Sequence, residues 1–551
     1  MNSMFETLPK EIYVFVYADD IVLVVIGRTL KFIRRKLQAA VSSVSRWATR
    51  TGFTLSAEKS VVSHVCRSRH RVLSSPIKAD GCRIPHKKSV AVLGVRLDRK
   101  LNFGEHFSDI KRNCETRLNL LRTLSKPHRS SNRDVLLRIL KAIVNSRLFY
   151  GIEIFGLAGN SLIDRLAPTY NQAIRTIAGL LPSTPADAAC VELGVLPFRY
   201  QVTETLCCRT IGYLEKTTGN QEVFLLREAN RALTNLAHLE LPPVDQVHWV
   251  GARRWDATDL HVDLSILKRF RAGDNSTAMR SHVTKLLAGK YRYHQLVYTD
   301  GSKASNRTGF GVAGYNTSYF FRLPDQCSVF SAEAAAIRFA ITTITGCPTC
   351  IISDSASVLT TINSSSSRHP WIQAIQANCP PETAFLWVPS HCGIRGNNEA
   401  DRLAATGRSG RTFTDLTPGA DLKTWCKSII RSSWAQEWAT NRLLFIRKIK
   451  EDTTKWTDTT DRRDQQVLSR LRVGHSHLTH NMTNHGPFRK LCLTCNTTMT
   501  VEHIVINCPC YQSARDHRAI PHSIRDALAN EPTNEEALIS FLKDTGLYQN
   551  I

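Results

Sequence analysis

Four acidic residues, each set where an apolar run stops or a helix begins, constrain this chain more than any other feature. Asp300 ends the run in Tyr298-Thr299-Asp300-Gly301-Ser302, and Asp354 ends Ile351-Ile352-Ser353. Glu333 stands beside Ala334, Ala335 and Ala336, small residues that let a helix lie close on a sheet. Asp401 closes Gly396-Asn397-Asn398-Glu399-Ala400-Asp401, shortly after His391. The flanking pattern reads as strands at 295–299 and 309–315, a helix at 331–345 and a strand at 350–353. A helix, a Ser-rich loop at 364–367, a strand at 384–388 and a helix from about 397 follow. This β-β-α-β-α-β-α order is that of a mixed α/β domain. Acids at strand ends and in first helical turns converge at one edge of an open α/β sheet. Taken singly, an Asp at a strand end is a turn residue and an Asp in a first helical turn favours the helix dipole. Four carboxylates brought together repel one another and need cations to neutralise them. Hard oxygen donors select Mg²⁺ or Mn²⁺. Two such ions about 4 Å apart can activate a water and stabilise the leaving oxygen of a phosphodiester.

The stretches YTDGSK, SAEAAAIRFAI, IISDSASV and WVPSHCGIRGNNEADRLA are similar to the successive motifs of type 1 ribonuclease H, over about 292–408. The resemblance implies an endoribonuclease that hydrolyses the RNA strand of RNA–DNA hybrids by two-metal-ion catalysis. It makes Asp300, Glu333, Asp354 and Asp401 the metal-binding catalytic acids. His391 becomes the mobile loop histidine that helps proton transfer or product release. The 2′-hydroxyl would identify the strand to be cut.

Near the N-terminus, residues 12–26 alternate as two strands joined by a tight turn at Ala18-Asp19-Asp20. Ile33, Leu37, Val41, Val44 and Ala48 then recur at helical spacing, with Gly52 placed to cap that helix. SVAVLGVRL at 89–97 reads as another strand. FVYADDIVLVV, the segment from Gly52 to Lys59, and Val92-Leu93-Gly94 together resemble the second half of the palm of a non-LTR retrotransposon reverse transcriptase. On that resemblance Tyr17, Asp19 and Asp20 are the remnant of a polymerase site. That family places a further metal-binding Asp well upstream, and only 16 residues precede Tyr17 here. Polymerase activity is therefore not expected from this chain alone.

From about 106 to 290 the pattern is helical, with an apolar stripe at Phe107, Ile110, Cys114, Leu118, Leu121 and Leu124 and similar segments at 134–149 and 160–180. SRLFYG at 146–151 fits the thumb or connection region that follows the palm in those elements. Beyond 420 the chain is helical, then rich in Cys and His. Cys492, Cys495, His503 and Cys508 have the spacing C-x2-C-x7-H-x4-C, which suits tetrahedral zinc; Cys510 competes with Cys508 as fourth ligand. Buried free cysteines are the plainer reading. LCLTCNTTMTVEHIVINCPCY resembles the zinc-knuckle-like tail of the same retrotransposon family. Cys347-x2-Cys350 lacks a partner pair and reads as packing.

The expected organisation is a multidomain α/β chain. A truncated palm over 1–105 leads to a helical thumb or connection over 106–290, an RNase H-like domain over 292–408 and a helical tail over 420–551 with a zinc-knuckle-like segment at 492–508. A net charge of +25 points to nucleic acid as partner. Of this, +18 lies in 1–150 and only +2 in 292–408, so the first segment is the electrostatic grip. No small-molecule substrate is expected. The longest apolar stretch, Tyr13 to Ile26, is interrupted by Asp19 and Asp20 and is too short to span a bilayer. With no signal-peptide pattern at the start, a nuclear or cytoplasmic, reducing setting is expected for the 16 cysteines. Two other readings are a catalytically silent nucleic-acid-binding remnant and a part of a longer, active reverse transcriptase.

Overall fold

The computed structural model describes residues 2–9, 11–66, 76–126, 132–155, 163–216, 222–247, 260–270, 275–314, 317–343, 348–364, 366–457, 461–483 and 486–551. The chain divides into two compact units, one of residues 1–193 and 455–551, the other of residues 194–454.

In the first unit, the alternating run near the N-terminus is the antiparallel hairpin Tyr13–Tyr17/Asp20–Val24, with Ala18 and Asp19 in its turn. The helix marked by Ile33 through Ala48 is Leu30–Thr51. The side chain of Thr29 accepts from Phe32 N at its start, and Gly52 closes it at φ 78°. Residues 89–97, expected as one strand, fold back as the hairpin Ser89–Val92/Val95–Asp98. Leu93 and Gly94 sit at φ 46° and 81°, the pair of positive angles that a two-residue hairpin turn needs. Apolar residues running through the turn hide this reversal in the sequence.

Helices follow at Gly104–Leu124, Arg133–Ile139 and Ala167–Ala178. The stripe from Phe107 to Leu121 is buried and Leu124 is half-buried. The start of the expected 160–180 segment, at 160–162, lies outside the described residues. The C-terminal stretch is not a separate tail. Its helix Arg462–Arg472 packs among these helices. Arg133 Nη2 donates to Gln465 O at 2.9 Å and lies 3.3 Å from Glu192 Oε1. Glu192 also accepts from Ser469 Oγ and Trp456 Nε1, each at 2.8 Å. Arg472 pairs with Glu535 at 2.7 Å, both almost fully buried. Charges taken out of water are costly unless paired and hydrogen-bonded, and these are.

The second unit is built on a six-stranded mixed sheet. In chain order its elements are β1 (His261–Asp263), α1 (Ser276–Gly289), β2 (Gln295–Ala304), β3 (Arg307–Gly314), β4 (Thr317–Leu323) and α2 (Val329–Thr343). Then come β5 (Thr349–Ser353), α3 (Ala356–Ile362), α4 (Pro370–Asn378), β6 (Thr383–Trp387), α5 (Arg395–Gly407) and α6 (Gly419–Thr440). The strand order is β4-β3-β2-β5-β6-β1. β4, β3 and β2 pair antiparallel, and β2, β5, β6 and β1 pair parallel. Two strands go beyond the sequence pattern. β4 completes an antiparallel meander, and β1 comes from the stretch read as helical connection. Asp263 anchors β1 by accepting from Lys290 Nζ at 2.7 Å, Tyr291 Oη at 2.8 Å and Ser265 N at 3.0 Å. Burial opposes its charge, but these donors hold its pKa well below the usual carboxylate range.

Side chains alternate between the two faces of the sheet. On one face Val297, Phe310, Ile351 and Phe385 form a core with α2 and α4. On the other, Cys350, Ile352, Ala384 and Leu386 form a core with Val283 of α1 and Ile394. Cys350 is thus a packing residue, while Cys347 lies outside the described residues, as do 344–345 of the expected helix. Among the described residues, no helix is long and apolar enough to cross a membrane.

Candidate active site and cysteine cluster

The parallel strands β2 and β5 bring two acids side by side, Asp354 just past β5 and Asp300 partway along β2, which runs on to Ala304 and not only to the expected 299. Thr299 is in register with Ser353, so the next residues, Asp300 and Asp354, emerge side by side. Glu333 arrives from α2, which lies very close over β2. A methyl group at Gly301 would stand 2.5 Å from Glu333 N and 2.8 Å from Ala332 Cβ. Only glycine permits that approach, and it brings carboxylate oxygens of Asp300, Glu333 and Asp354 within 4.8 Å of one another.

Asp401 stands just outside this trio, on α5. A residue that the sequence reading passed over links it in. Asn397 is buried, and its Nδ2 donates to Asp354 Oδ2 at 3.3 Å and to Asp401 Oδ1 at 3.4 Å. Its neighbour in the first turn of α5 is also a glycine in close contact, since a methyl group at Gly396 would stand 2.2 Å from the Tyr298 ring. Trp387 Nε1 fixes the backbone of the β5 end by donating to Asp354 O at 2.9 Å. His391 lies at the rim at φ 53°, 84% exposed, with Nδ1 3.5 Å from Asp401 Oδ2.

The electrostatics follow from burial and repulsion. Burial, then Asp354 and Asp401, pushes Asp300 up to about 7. Burial, then Asp300 and Asp354, raises Glu333 well above the usual carboxylate range. Burial also raises Asp354 and Asp401, against the opposing pull of Asn397 and His391 respectively. Glu333 Oε2 is buried with no hydrogen-bond partner.

Residues 293–409, which contain this whole constellation, match the RNase H family. They resemble an RNase H domain. Residues 1–97 match the reverse transcriptase (RNA-dependent DNA polymerase) family. The chain is 24% identical over 170 residues to an RNA-directed DNA polymerase from mobile element jockey of Drosophila melanogaster. It is 28% identical over 173 residues to a probable RNA-directed DNA polymerase from transposon BS, and 29% over 167 residues to one from transposon X-element, both of the same fly. Each match covers 30–31% of this chain and only 18–19% of the relative, so the chain spans a small part of the relatives it matches. The RNase H domain also draws structure from beyond its match. β1 and α1 precede it, and Asp421 of α6 follows it, accepting from Ser328 N at 2.9 Å just ahead of the helix that carries Glu333.

In the reverse transcriptase segment, Tyr17 and Asp20 pair across the end of the N-terminal hairpin, with Asp19 in its turn. All three are exposed, and among the described residues they join no group of three or more Asp, Glu, His or Cys side chains able to hold an ion.

Far along the chain, Cys492, Cys495, His503 and Cys508 place their ligand atoms within 4.8 Å of one another. Cys510 is exposed and outside this group. Sγ of Cys508 lies 4.0 Å from that of Cys492 and 3.9 Å from that of Cys495. The Cys495 amide draws the Cys492 thiol down to about 6, whereas burial pushes Cys508 up to about 12.

Proposed function

We propose that the RNase H domain hydrolyses the RNA strand of RNA–DNA hybrids, with Asp300, Glu333, Asp354 and Asp401 holding Mg²⁺ or Mn²⁺. The observation that carries this is the convergence of three carboxylates around a buried, unpartnered Glu333 oxygen. An all-oxygen anionic donor set of this kind fits a hard divalent cation. When bound, such ions lower the pKa of an attacking water and stabilise the leaving oxygen. The chain's own residues do the rest. Asn397 holds the Asp354 and Asp401 carboxylates at a fixed separation. His391, on the exposed rim beside Asp401, carries a proton between that edge of the site and solvent. The direct test incubates the full chain with end-labelled RNA–DNA hybrid and with the matching RNA and DNA duplexes. Internal cuts in the RNA of the hybrid with Mg²⁺, and none with EDTA, are expected. An intact hybrid would refute the reading.

The pKa shifts make a second prediction. An acid whose folded-state pKa exceeds its unfolded value binds more protons when folded. Its contribution to stability is present at low pH and lost as pH rises through the folded pKa, here about 7 for Asp300. A cation must displace those protons, which costs roughly tenfold in affinity per pH unit per proton. Added Mg²⁺ should therefore raise the melting temperature of the chain clearly at pH 8 and little at pH 5.5. Taking the difference with and without metal at each pH removes the background of His369 and His475, both pushed down to about 4 by burial. An equal gain at both pH values would count against the carboxylate cluster as the cation site.

We further propose that Cys492, Cys495, His503 and Cys508 hold one zinc ion. The basic segment 1–150 adds electrostatic grip on nucleic acid, on its charge alone.

A further inference from the structure

α1 lies wholly before the RNase H match, yet it reaches the rim of the acidic site. Asn275 starts the helix, its side chain accepting from Thr277 N at 2.9 Å and Ala278 N at 3.4 Å. Val283, one turn after Arg280, is buried in the same cluster as Ile394, which begins α5 and ends the His391 loop. The helix is thereby fixed under that loop. Arg280 lies along the loop backbone. A methyl group at Gly393 would stand 3.4 Å from Arg280 Nη1 and 3.8 Å from its Cδ and Cζ. Two residues earlier, His391 Nδ1 is 3.5 Å from Asp401 Oδ2.

Arg280 is exposed, and among the described residues its guanidinium has no carboxylate partner. Two other arginines of this domain's surface do have one, Arg322 with Asp325 and Arg402 with Glu399; what sets Arg280 apart is its place against the His391 loop. A guanidinium held against backbone loses little freedom on binding, and its fork suits a phosphate oxygen pair. We propose that Arg280 is a substrate-binding residue of the RNase H site, gripping a phosphodiester group of the nucleic acid beside the His391 loop. This rests on the hybrid-nuclease reading and extends it to a residue outside the matched domain. The ligand class is a polyanionic backbone.

The test measures kcat and KM of the full chain on labelled hybrid across a salt series, for wild type, Arg280→Ala and Arg280→Lys. Arg292→Ala serves as control. That exposed arginine stacks on Tyr293 ahead of β2, eight residues before Asp300. Cleavage by wild type reports on the nuclease reading itself. The comparison among variants reports on Arg280. Arg280→Ala should raise KM several-fold with kcat within about twofold. It should also flatten the dependence of log(kcat/KM) on log[salt] by roughly 0.7–0.9, the counterion yield of one phosphate. Arg280→Lys should keep the wild-type slope, and Arg292→Ala should match wild type throughout. Active wild type with an unchanged KM and slope in Arg280→Ala would overturn the assignment. So would a loss confined to kcat and melting temperature that lysine does not rescue.

Discussion

Asp354→Asn should lower the rate of hybrid cleavage by well over 100-fold in a chain that still folds. Asp354 leaves the end of β5 with its carboxylate in the trio with Asp300 and Glu333. Asparagine has the same shape, so packing around β5 and the Trp387 bond to the backbone oxygen should survive. The substitution removes one charged oxygen of the proposed cation site and nothing else of size. Losing a residue that only orients a metal ligand costs roughly 10–100-fold. Asn397→Ala, which leaves the acids and removes their shared donor, should fall in that range. Losing the ligand itself should cost more. The amide also relieves repulsion among carboxylates whose pKa values are all raised, so without metal the variant should melt no lower than wild type. Single-turnover cleavage and melting curves in EDTA separate the two effects. Wild-type rates from Asp354→Asn would refute the place given to this acid. A collapse of the melting temperature would show that it serves the fold instead.

What the sequence made legible, and what it hid, follows from the range of the forces involved. Asp300 and Asp354 could be placed because each ends a run of apolar residues. Strand periodicity is local, and the parallel pairing of β2 with β5 then sets the two side by side. Glu333 had no such signal. Its helix has no strand end to mark it, and only the glycine at 301 allows the approach that brings it in. Asn397 was silent because one polar residue among Asn397, Asn398 and Glu399 looks like any helix start until the fold turns it inward. β1 was missed for a different reason. Three residues are too few to show a period, and its place on the sheet depends on Asp263 meeting Lys290 and Tyr291 far along the chain. The hairpin at 89–98 carried its signal in Leu93-Gly94, but the unbroken apolar alternation around it favoured a single strand. The role of 455–551 as a third of the first unit was the least visible of all. It rests on contacts such as Arg133 with Gln465, across more than three hundred residues of sequence.

Purified full-length chain should carry close to one zinc ion, and Cys495→Ser close to none. A tetrahedral zinc with Zn–S bonds of about 2.3 Å sets its sulfurs about 3.8 Å apart. The Cys508 sulfur lies 4.0 Å and 3.9 Å from those of Cys492 and Cys495. Those separations are far too long for a disulfide of about 2.05 Å, and all three thiols are free. Plain buried cysteines would also satisfy the spacing. They would not account for an imidazole beside them whose Nε2 is buried without a hydrogen-bond partner. The loop that carries Cys492 and Cys495 has little apolar packing of its own. Leu491 and Leu493 are 59% and 100% exposed, and the loop closes on backbone bonds such as Cys492 N to Thr497 O at 2.8 Å. In small units of this kind, metal binding supplies much of the folding free energy. Chelation should therefore free three thiols to a thiol-reactive dye and loosen residues 490–510, as read by hydrogen exchange. Hybrid cleavage should persist in Cys495→Ser, because the RNase H domain lies in the other unit. Zinc far below one equivalent in protein with fully reduced thiols would refute the site. Loss of zinc together with loss of cleavage would show instead that the two units depend on one another.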